Sequence, residues 1–224
     1  CSSDLWGLQL CQGGGEKKDR GKATIFFSRE NHHGGPGGVV WATSGRSVRR
    51  SENGRDFFHF CSFPLSLPRD LLLYPRILAR VSRSDKCNVY ETSSKKLIGI
   101  RDGEVFDLTS GYPELLHQIR GDCVLACGIA EATDQSLYFG EYFGNKSRRA
   151  VRLYRVSSDF ESVEIAHEFS AGEIRHVHGV FQDPYDSEAI WVTTGDLPGE
   201  CYLYVTRDKF KTVEKIGDGS QAWR

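Results

Sequence analysis

Hydrophobic and polar residues alternate with a period of two in Glu173–Gln182, a pattern typical of half-buried β-strands. This run opens the region 172–224, where four strand-forming runs are separated by short turns rich in Gly, Asp and Pro. Short strands joined by tight turns predict an antiparallel meander. The predicted strands are Glu173–Gln182, Ala189–Thr194, Cys201–Thr206 and Thr212–Ile216.

The preceding region repeats this meander at a constant offset of about 50 positions. The aligned pairs are Leu153 with Leu203, Tyr154 with Tyr204, Phe160 with Phe210 and Val163 with Val213. Self-similarity at roughly 40–50 residues is the sequence signature of propeller blades. We therefore predict an all-β fold, a β-propeller of four-stranded antiparallel blades, with about four blades at 22–62, 85–120, 122–170 and 173–219.

The rest of the chain is assigned by its departure from this pattern. Residues 1–21, rich in Gly and charged residues, are predicted to be a flexible N-terminal segment. The proline-rich stretch 64–79 is expected to hold a helical turn or a connection between blades. Residues 220–224 are interpreted as the opening strand of a further blade. We expect residues 22–224 to be part of a six-bladed ring in a longer polypeptide, and a complete four-bladed ring is the alternative.

Turn motifs in two predicted blades resemble a known repeat. The segment Thr206-Arg-Asp208-Lys-Phe-Lys-Thr212 resembles the BNR repeat, or Asp-box, of sialidase-like propellers, and Ser51-Glu-Asn53 is a weaker copy. The resemblance implies a turn between the third and fourth strands of a blade. There the Asx side chain accepts backbone N–H groups and an aromatic residue packs between blades. It implies structural, not catalytic, roles for Ser51, Asn53, Thr206, Asp208 and Thr212.

A longer stretch resembles a group of mostly uncharacterised BNR-type propellers, some of which are called glycosyl hydrolases. The strings that carry this resemblance are Ile174-Arg-His-Val-His-Gly179, Asp183-Pro-Tyr-Asp186 and Trp191-Val-Thr-Thr-Gly-Asp196. The resemblance implies the fold far more than an activity. The nearest match to the first substrate-binding arginine of sialidases, Tyr74-Pro-Arg76, lies at the wrong place, so no sialidase catalytic residue is carried over.

Two histidines are the strongest candidates for a ligand site. His176 and His178 are two positions apart on a predicted first strand, so both side chains leave the same face. In a propeller the first strand is innermost and lines the central channel. Two imidazoles there can bind a divalent metal, hold a substrate carboxylate or transfer protons, with Arg175 as a third ligand-binding residue. The alternative is that the histidines are hydrogen-bonded packing residues between blades.

Three carboxylates are candidate catalytic groups. Glu131 and Glu141 belong to the predicted blade that precedes the histidines. Asp196 is the last residue of the string Trp191-Val-Thr-Thr-Gly-Asp196. Paired carboxylates perform glycoside hydrolysis. We predict that all three cluster with His176 and His178 at one end of the channel. The alternatives are solvated strand ends for the glutamates and a plain turn for Asp196.

Net charge, apolar runs and cysteine spacing limit the kinds of molecule that the chain is expected to bind. The formal net charge is −1, so nothing favours nucleic acid or an anionic membrane, and no apolar run has the length of a transmembrane helix. The seven cysteines form no Cys-x-x-Cys pair, which favours reduced, buried thiols over zinc ligation or a disulfide framework. The cellular compartment is not indicated.

The sequence thus favours binding, with or without cleavage, of a carbohydrate or other polar small molecule at the channel mouth. The alternative is a non-catalytic propeller that binds a glycan or a protein.

Overall fold

The computed structural model describes residues 24–27, 39–73, 79, 84, 86–121 and 128–223 of the 224-residue chain. The described residues form four antiparallel four-stranded sheets, and in each sheet the strands follow one another in chain order. Each sheet is one blade of a β-propeller. The predicted fold class and the number of blades are therefore confirmed.

The strands have the following bounds. The first blade comprises β1 (Thr24–Phe27), β2 (Val40–Ser44), β3 (Ser47–Ser51) and β4 (Phe58–Ser62). The second comprises β5 (Asn88–Glu91), β6 (Leu97–Arg101), β7 (Glu104–Asp107) and β8 (Glu114–Gln118). The third comprises β9 (Ala130–Glu131), β10 (Leu137–Gly140), β11 (Val151–Val156) and β12 (Val163–Phe169). The fourth comprises β13 (Val177–Gln182), β14 (Ile190–Thr194), β15 (Cys201–Thr206) and β16 (Glu214–Gly219).

Burial changes with the position of a strand in its blade. The second strands β6 and β10 are buried along their whole length, because both of their faces are covered by neighbouring blades. The fourth strands β8 and β16 are largely exposed. The fourth strand is therefore the outer edge of its blade.

Neighbouring blades are joined face to face by apolar side chains. Between the third and fourth blades, the ring of Tyr138 lies 5.3 Å from that of Phe210, and Phe169 lies 4.8 Å from Tyr204. Further core clusters join the second blade to the third and the first to the second. The hydrophobic core is therefore a series of layers between blades, because each sheet alone would leave both faces in water.

The turn between β15 and β16 has the hydrogen bonding that an Asp-box implies. The Thr206 hydroxyl donates to Asp208 at 2.9 Å, and the backbone N–H of Thr212 donates to the same carboxylate at 2.9 Å. Hydrogen bonds from Thr212 lower the pKa of Asp208 to about 2. Phe210 adopts a φ of 69°, and this left-handed turn directs its ring into the layer between blades.

Related turns occur in two other blades. In the third, Ser157 donates to Asp159 at 2.5 Å and Phe160 has a φ of 69°. In the first, the Ser51 hydroxyl donates to Asn53 at 3.1 Å, and Asn53 also accepts two backbone N–H groups. Asx side chains thus close this turn in three of the four blades.

Two predicted elements differ from the structure. The strand predicted from Glu173 begins only at Val177, because a turn spans 171–173 and the Asn145 amide holds the Arg175 carbonyl at 2.9 Å. Residues Gln221–Trp223, predicted as part of an opening strand, form a 3-10 helix. The assignment of residues 22–224 to part of a six-bladed ring remains a prediction.

The connection between the first two blades contains the predicted helical turn, a 3-10 helix at Arg69–Leu73. Its Asp70 forms a buried ion pair with Arg101 of β6.

Three described cysteines, Cys61, Cys87 and Cys201, are buried and reduced, as predicted. Burial, with the nearby Cys87, raises the pKa of Cys61 to about 11. The predicted flexible segment 1–21 lies outside the described residues, and no described helix is long and apolar enough to cross a membrane.

Replacing Phe210 by Ala should weaken the layer between the third and fourth blades. The ring is buried against Tyr138, so we expect the free energy of unfolding to fall by about 3–5 kcal/mol in urea denaturation. Phe58, 72% exposed on the edge strand β4, provides a control of the same residue type. An equal loss for Phe210→Ala and Phe58→Ala would contradict the layered core.

Acid should weaken a contact between the third and fourth blades. Partial burial would raise the pKa of Asp134, but hydrogen bonds from Lys209 at 2.6 Å and from Ser136 outweigh it and lower the pKa from 3.8 to about 2. A depressed pKa stabilises the fold above pH ~4, and this contribution disappears as the pH falls towards 2. The stability difference between the wild type and Asp134→Asn should therefore shrink over this range. A stability difference that stays constant between pH ~4 and pH ~2 would refute the prediction.

Candidate functional site

The candidate site lies where β13 begins, on the side that faces the third blade. His176 precedes the strand and His178 lies within it. The register shifts between Val177, paired with Thr194, and Gly179, paired with Thr193, so His178 is the extra residue of a β-bulge. Bulges redirect side chains and are common beside functional sites.

The two imidazoles converge on one carboxylate. Their ring centroids are 4.8 Å apart. Asp196 Oδ2 lies 3.2 Å from His176 Nε2, and Asp196 Oδ1 lies 3.2 Å from His178 Nε2. The His178 Nε2 atom also contacts the carbonyl oxygen of Gly195. Asp196 reaches both rings because it follows β14, the strand that pairs with β13.

The third blade supplies the opposite wall of the site. The Tyr142 ring lies 4.5 Å from the His176 ring and 5.7 Å from the His178 ring, measured between centroids. The Phe143 carbonyl oxygen lies 3.2 Å from His176 Nδ1. Tyr142 was not among the residues predicted from the sequence, although it directly follows Glu141.

A glycine allows the two blades to approach this closely. Gly140, the last residue of β10, faces Val177, and a side chain at Gly140 would overlap the Val177 side chain. The Val177 backbone N–H donates to the Glu141 carbonyl oxygen at 3.0 Å across the junction. This contact fixes the start of β13 against residues 140–143, and so places the histidines beside Tyr142.

The site opens towards solvent at its carboxylate. The exposed fraction of the side chain rises from 5% for His176 to 15% for His178 and 31% for Asp196. Burial, together with the neighbouring His178, lowers the pKa of His176, so its imidazole is neutral at neutral pH. The group therefore combines an anchored neutral imidazole with an accessible carboxylate.

Arg175 takes part in a separate ion-pair network. Its Nε atom lies 3.1 Å from Glu200 Oε2, and Arg148 of the third blade lies 2.6 Å from Glu200 Oε1. Burial would raise the pKa of Glu200, but the two guanidinium groups outweigh it and lower the pKa. One buried carboxylate thus balances part of the charge of Arg175, the predicted ligand-binding arginine. Glu200 was not among the residues predicted from the sequence.

Glu141 is buried and bound on all sides by the protein. Its carboxylate accepts hydrogen bonds from Arg120 Nη2 at 2.6 Å, from the backbone N–H of Arg152 at 2.9 Å and from the Tyr154 hydroxyl at 3.1 Å. A solvated strand end, the alternative considered for this residue, is wrong, because its side chain has no solvent exposure. Arg120 comes from the end of the second blade, so Glu141 ties the second blade to the third.

Glu131 has a similar environment. Its carboxylate accepts the backbone N–H of Ser93 at 3.0 Å and the Tyr90 hydroxyl at 3.2 Å. The residue is 3% exposed, so a solvated strand end is wrong here too. In the part of the chain that the structure describes, the group of potential ligand atoms within 4.8 Å of one another comprises His176, His178 and Asp196. The structure brings Asp196, but neither glutamate, into this group.

Comparison with known proteins supports the fold. No family model and no curated protein matches the sequence. The chain aligns with an oligogalacturonate lyase in complex with manganese at a TM-score of 0.50 and 10% identity, over 85% of this chain and 50% of that one. The lyase from Vibrio parahaemolyticus gives 0.49 and 8%, over 84% and 50%. A chain of a nidogen/laminin complex gives 0.48 and 10%, over 79% and 60%. The chain thus spans about half the length of these neighbours, and the likeness shows the propeller fold alone.

The environment of Glu141 predicts a loss of stability on Glu141→Gln. The amide removes the charge that Arg120 and the buried donors require. We expect the free energy of unfolding to fall by about 2–3 kcal/mol, less than for a fully buried pair because Arg120 is one-third exposed. Glu168→Gln breaks an arginine–glutamate pair whose two side chains are exposed, and it should change stability little. Unchanged urea denaturation of Glu141→Gln would contradict the anchoring role.

Proposed function

We propose that this chain binds a carbohydrate or other polar small molecule at the site formed by Tyr142, His176, His178 and Asp196. The observation that carries the proposal is the convergence of two imidazoles and a carboxylate on one point, beside an aromatic ring from the neighbouring blade. Polar groups that converge next to an apolar wall are typical of small-molecule sites. The position at the start of an innermost strand agrees with a ligand at the channel mouth.

The chemistry of the four side chains matches a hydroxyl-rich or acidic ligand. Asp196 accepts hydrogen bonds from hydroxyl groups, and the imidazoles of His176 and His178 donate or accept according to tautomer. The Tyr142 ring offers an apolar face against which the C–H groups of a sugar ring can pack. Arg175, next to His176 in the chain, and Arg148 share the single carboxylate of Glu200. The one positive charge left over offsets the negative charge of Asp196, so the site can accept an anionic ligand.

If the ligand is cleaved, Asp196 and its imidazoles are the groups placed to transfer protons, because a catalytic base must reach the substrate. Glu131 and Glu141 stay candidates from the sequence, but internal donors already surround both. Their burial favours the second candidate function, which is a propeller that binds its glycan or protein partner without cleaving it.

We further propose that the chain is a sialidase-like Asp-box propeller. The Asx-closed turns at Thr206–Thr212, Ser157–Ser162 and Ser51–Asn53 support this assignment, as does the packing of Phe210 and Phe160 between blades. The propeller-fold neighbour at a TM-score of 0.50 is an oligogalacturonate lyase. Its name suggests an acidic oligosaccharide as the first probe.

Calorimetric titration with trigalacturonate and with the neutral sugar cellotriose tests the proposed function. We expect the full chain to bind at least one probe, and the acidic one more tightly. His178→Ala and Asp196→Asn should each weaken that affinity at least about tenfold, or ~1.4 kcal/mol. Release of reducing ends or of an unsaturated product during the titration would distinguish cleavage from binding.

The matched control is His59→Ala, which removes an exposed histidine of the first blade. It should leave the affinity unchanged, while circular dichroism shows that every variant retains the β-fold. Failure of the folded wild-type chain to bind either probe, or equal affinity in all variants, would refute the proposal.

A further inference from the structure

We infer that His176, His178 and Asp196 bind a divalent first-row transition-metal ion, with Zn²⁺ as the first candidate. The inference deepens the proposed function, because the ion would lie in the same site.

The first observation is a buried nitrogen atom of His176. His176 Nε2 has no hydrogen-bond partner among the described residues, although Asp196 Oδ2 is only 3.2 Å away. The two atoms are therefore close without forming a hydrogen bond. Buried polar atoms without a partner are rare, and a bound ion is one explanation.

The other nitrogen of the same ring determines what Nε2 can offer. His176 Nδ1 lies 3.2 Å from the Phe143 carbonyl oxygen, which only accepts, so Nδ1 carries the proton. In the neutral ring, Nε2 then carries a lone pair and no proton, and Asp196 Oδ2, 3.2 Å away, also carries only lone pairs. A cation between the two atoms converts this repulsion into two ligand bonds. Metal-binding histidines commonly donate their second N–H to a backbone carbonyl in this way.

The ligand distances suit one ion. Bonds of about 2.1 Å at tetrahedral or octahedral angles place adjacent ligand atoms roughly 3.0–3.5 Å apart. Both imidazole-to-carboxylate distances are 3.2 Å. The ligand atoms of the three residues all lie within 4.8 Å of one another. Closure around an ion therefore requires side-chain shifts of less than about 1 Å.

His178 reaches the ion by exchanging tautomers. In the absence of an ion, its Nε2–H donates to the Gly195 carbonyl oxygen. When an ion binds, the ring proton moves from Nε2 to Nδ1, and the Nε2 lone pair becomes a ligand. The ring loses no net proton in this exchange. The Gly195 carbonyl oxygen is then left beside the ion as a further oxygen donor.

The donor set indicates the class of ion. Two imidazoles and one carboxylate are the protein ligands of several catalytic zinc sites, and of related iron sites, that keep positions open for water or substrate. Mg²⁺ and Ca²⁺ prefer oxygen donors alone. Asp196 is 31% exposed, so the remaining coordination positions face solvent. There the ion would bind and polarise an oxygen atom of the ligand, with Tyr142 as the neighbouring wall.

Metal binding can be measured without any sugar. The full chain is treated with EDTA, transferred to metal-free buffer with a reductant, and titrated with Zn²⁺ by calorimetry and with Co²⁺ by visible absorption. His32 and His33 are replaced by Ala throughout, because adjacent histidines can bind these ions by themselves. We expect one ion per chain, and Co²⁺ bands without the intense near-ultraviolet absorption of thiolate ligands.

Two ligand variants then locate the ion. Asp196→Asn and His178→Ala should each weaken Zn²⁺ binding by at least the roughly 10–100-fold that loss of an outer-shell partner costs. His59→Ala should leave it unchanged. Melting curves without metal show whether each variant is folded, and two separate variants keep the test valid if one of them is not. Stoichiometric binding that survives in both folded variants, or no binding by the folded parent, would overturn the inference.

A second arm separates this inference from the proposed function. Trigalacturonate is titrated into EDTA-treated and Zn²⁺-loaded protein. The inference predicts tighter sugar binding in the loaded protein. Equal sugar affinity with and without Zn²⁺ would leave the proposed function standing and refute the role of the ion. A bound ion with no sugar affinity would uphold the metal site and refute the proposed function.

Discussion

The contact of Gly140 with Val177 is the constraint on which the candidate site depends. A strand end without a side chain lets the fourth blade lie directly against the third, and the Val177 N–H then bonds to the Glu141 carbonyl oxygen. His176 is thereby placed next to Tyr142 and below the Phe143 carbonyl. A side chain at Gly140 would separate the two blades and pull the two halves of the site apart.

Short strand-forming runs between Gly-, Asp- and Pro-rich turns were enough to predict the blades, because such runs pair with their neighbours in the chain as an antiparallel meander. The repeat between Tyr154 and Tyr204 was enough to predict their spacing. The late start of β13, at Val177 instead of Glu173, was not predictable, because the Asn145 amide that holds the carbonyl oxygen of residue 175 comes from another blade. Trp223 was assigned to the opening strand of a further blade, whereas its backbone N–H donates to the Ser220 carbonyl oxygen in a local turn.

The site was predictable only as far as one blade supplies it. The spacing of His176 and His178 predicted that they share a face, and Asp196 lies in the turn of the paired strand. Contacts between blades cannot be deduced from periodicity. The two glutamates therefore looked like channel carboxylates, whereas arginine and tyrosine donors from the second blade hold them. Buried carboxylates in this fold serve mainly to join blades, since carboxylates paired with arginine lie buried near several blade junctions. The pairs are Asp70 with Arg101, Glu141 with Arg120, and Glu200 with Arg148 and Arg175.

The site is shared by two blades, with Tyr142 and the Phe143 carbonyl on one side and the histidines with Asp196 on the other. Anything bound there touches both sides of a junction that holds only while the two blades stay packed. By thermodynamic linkage, occupancy then lowers the free energy of the closed junction relative to any state in which the fourth blade has come away. A bound ligand would hold the third and fourth blades together. The extent to which this one junction opens locally would then fall as the site is occupied.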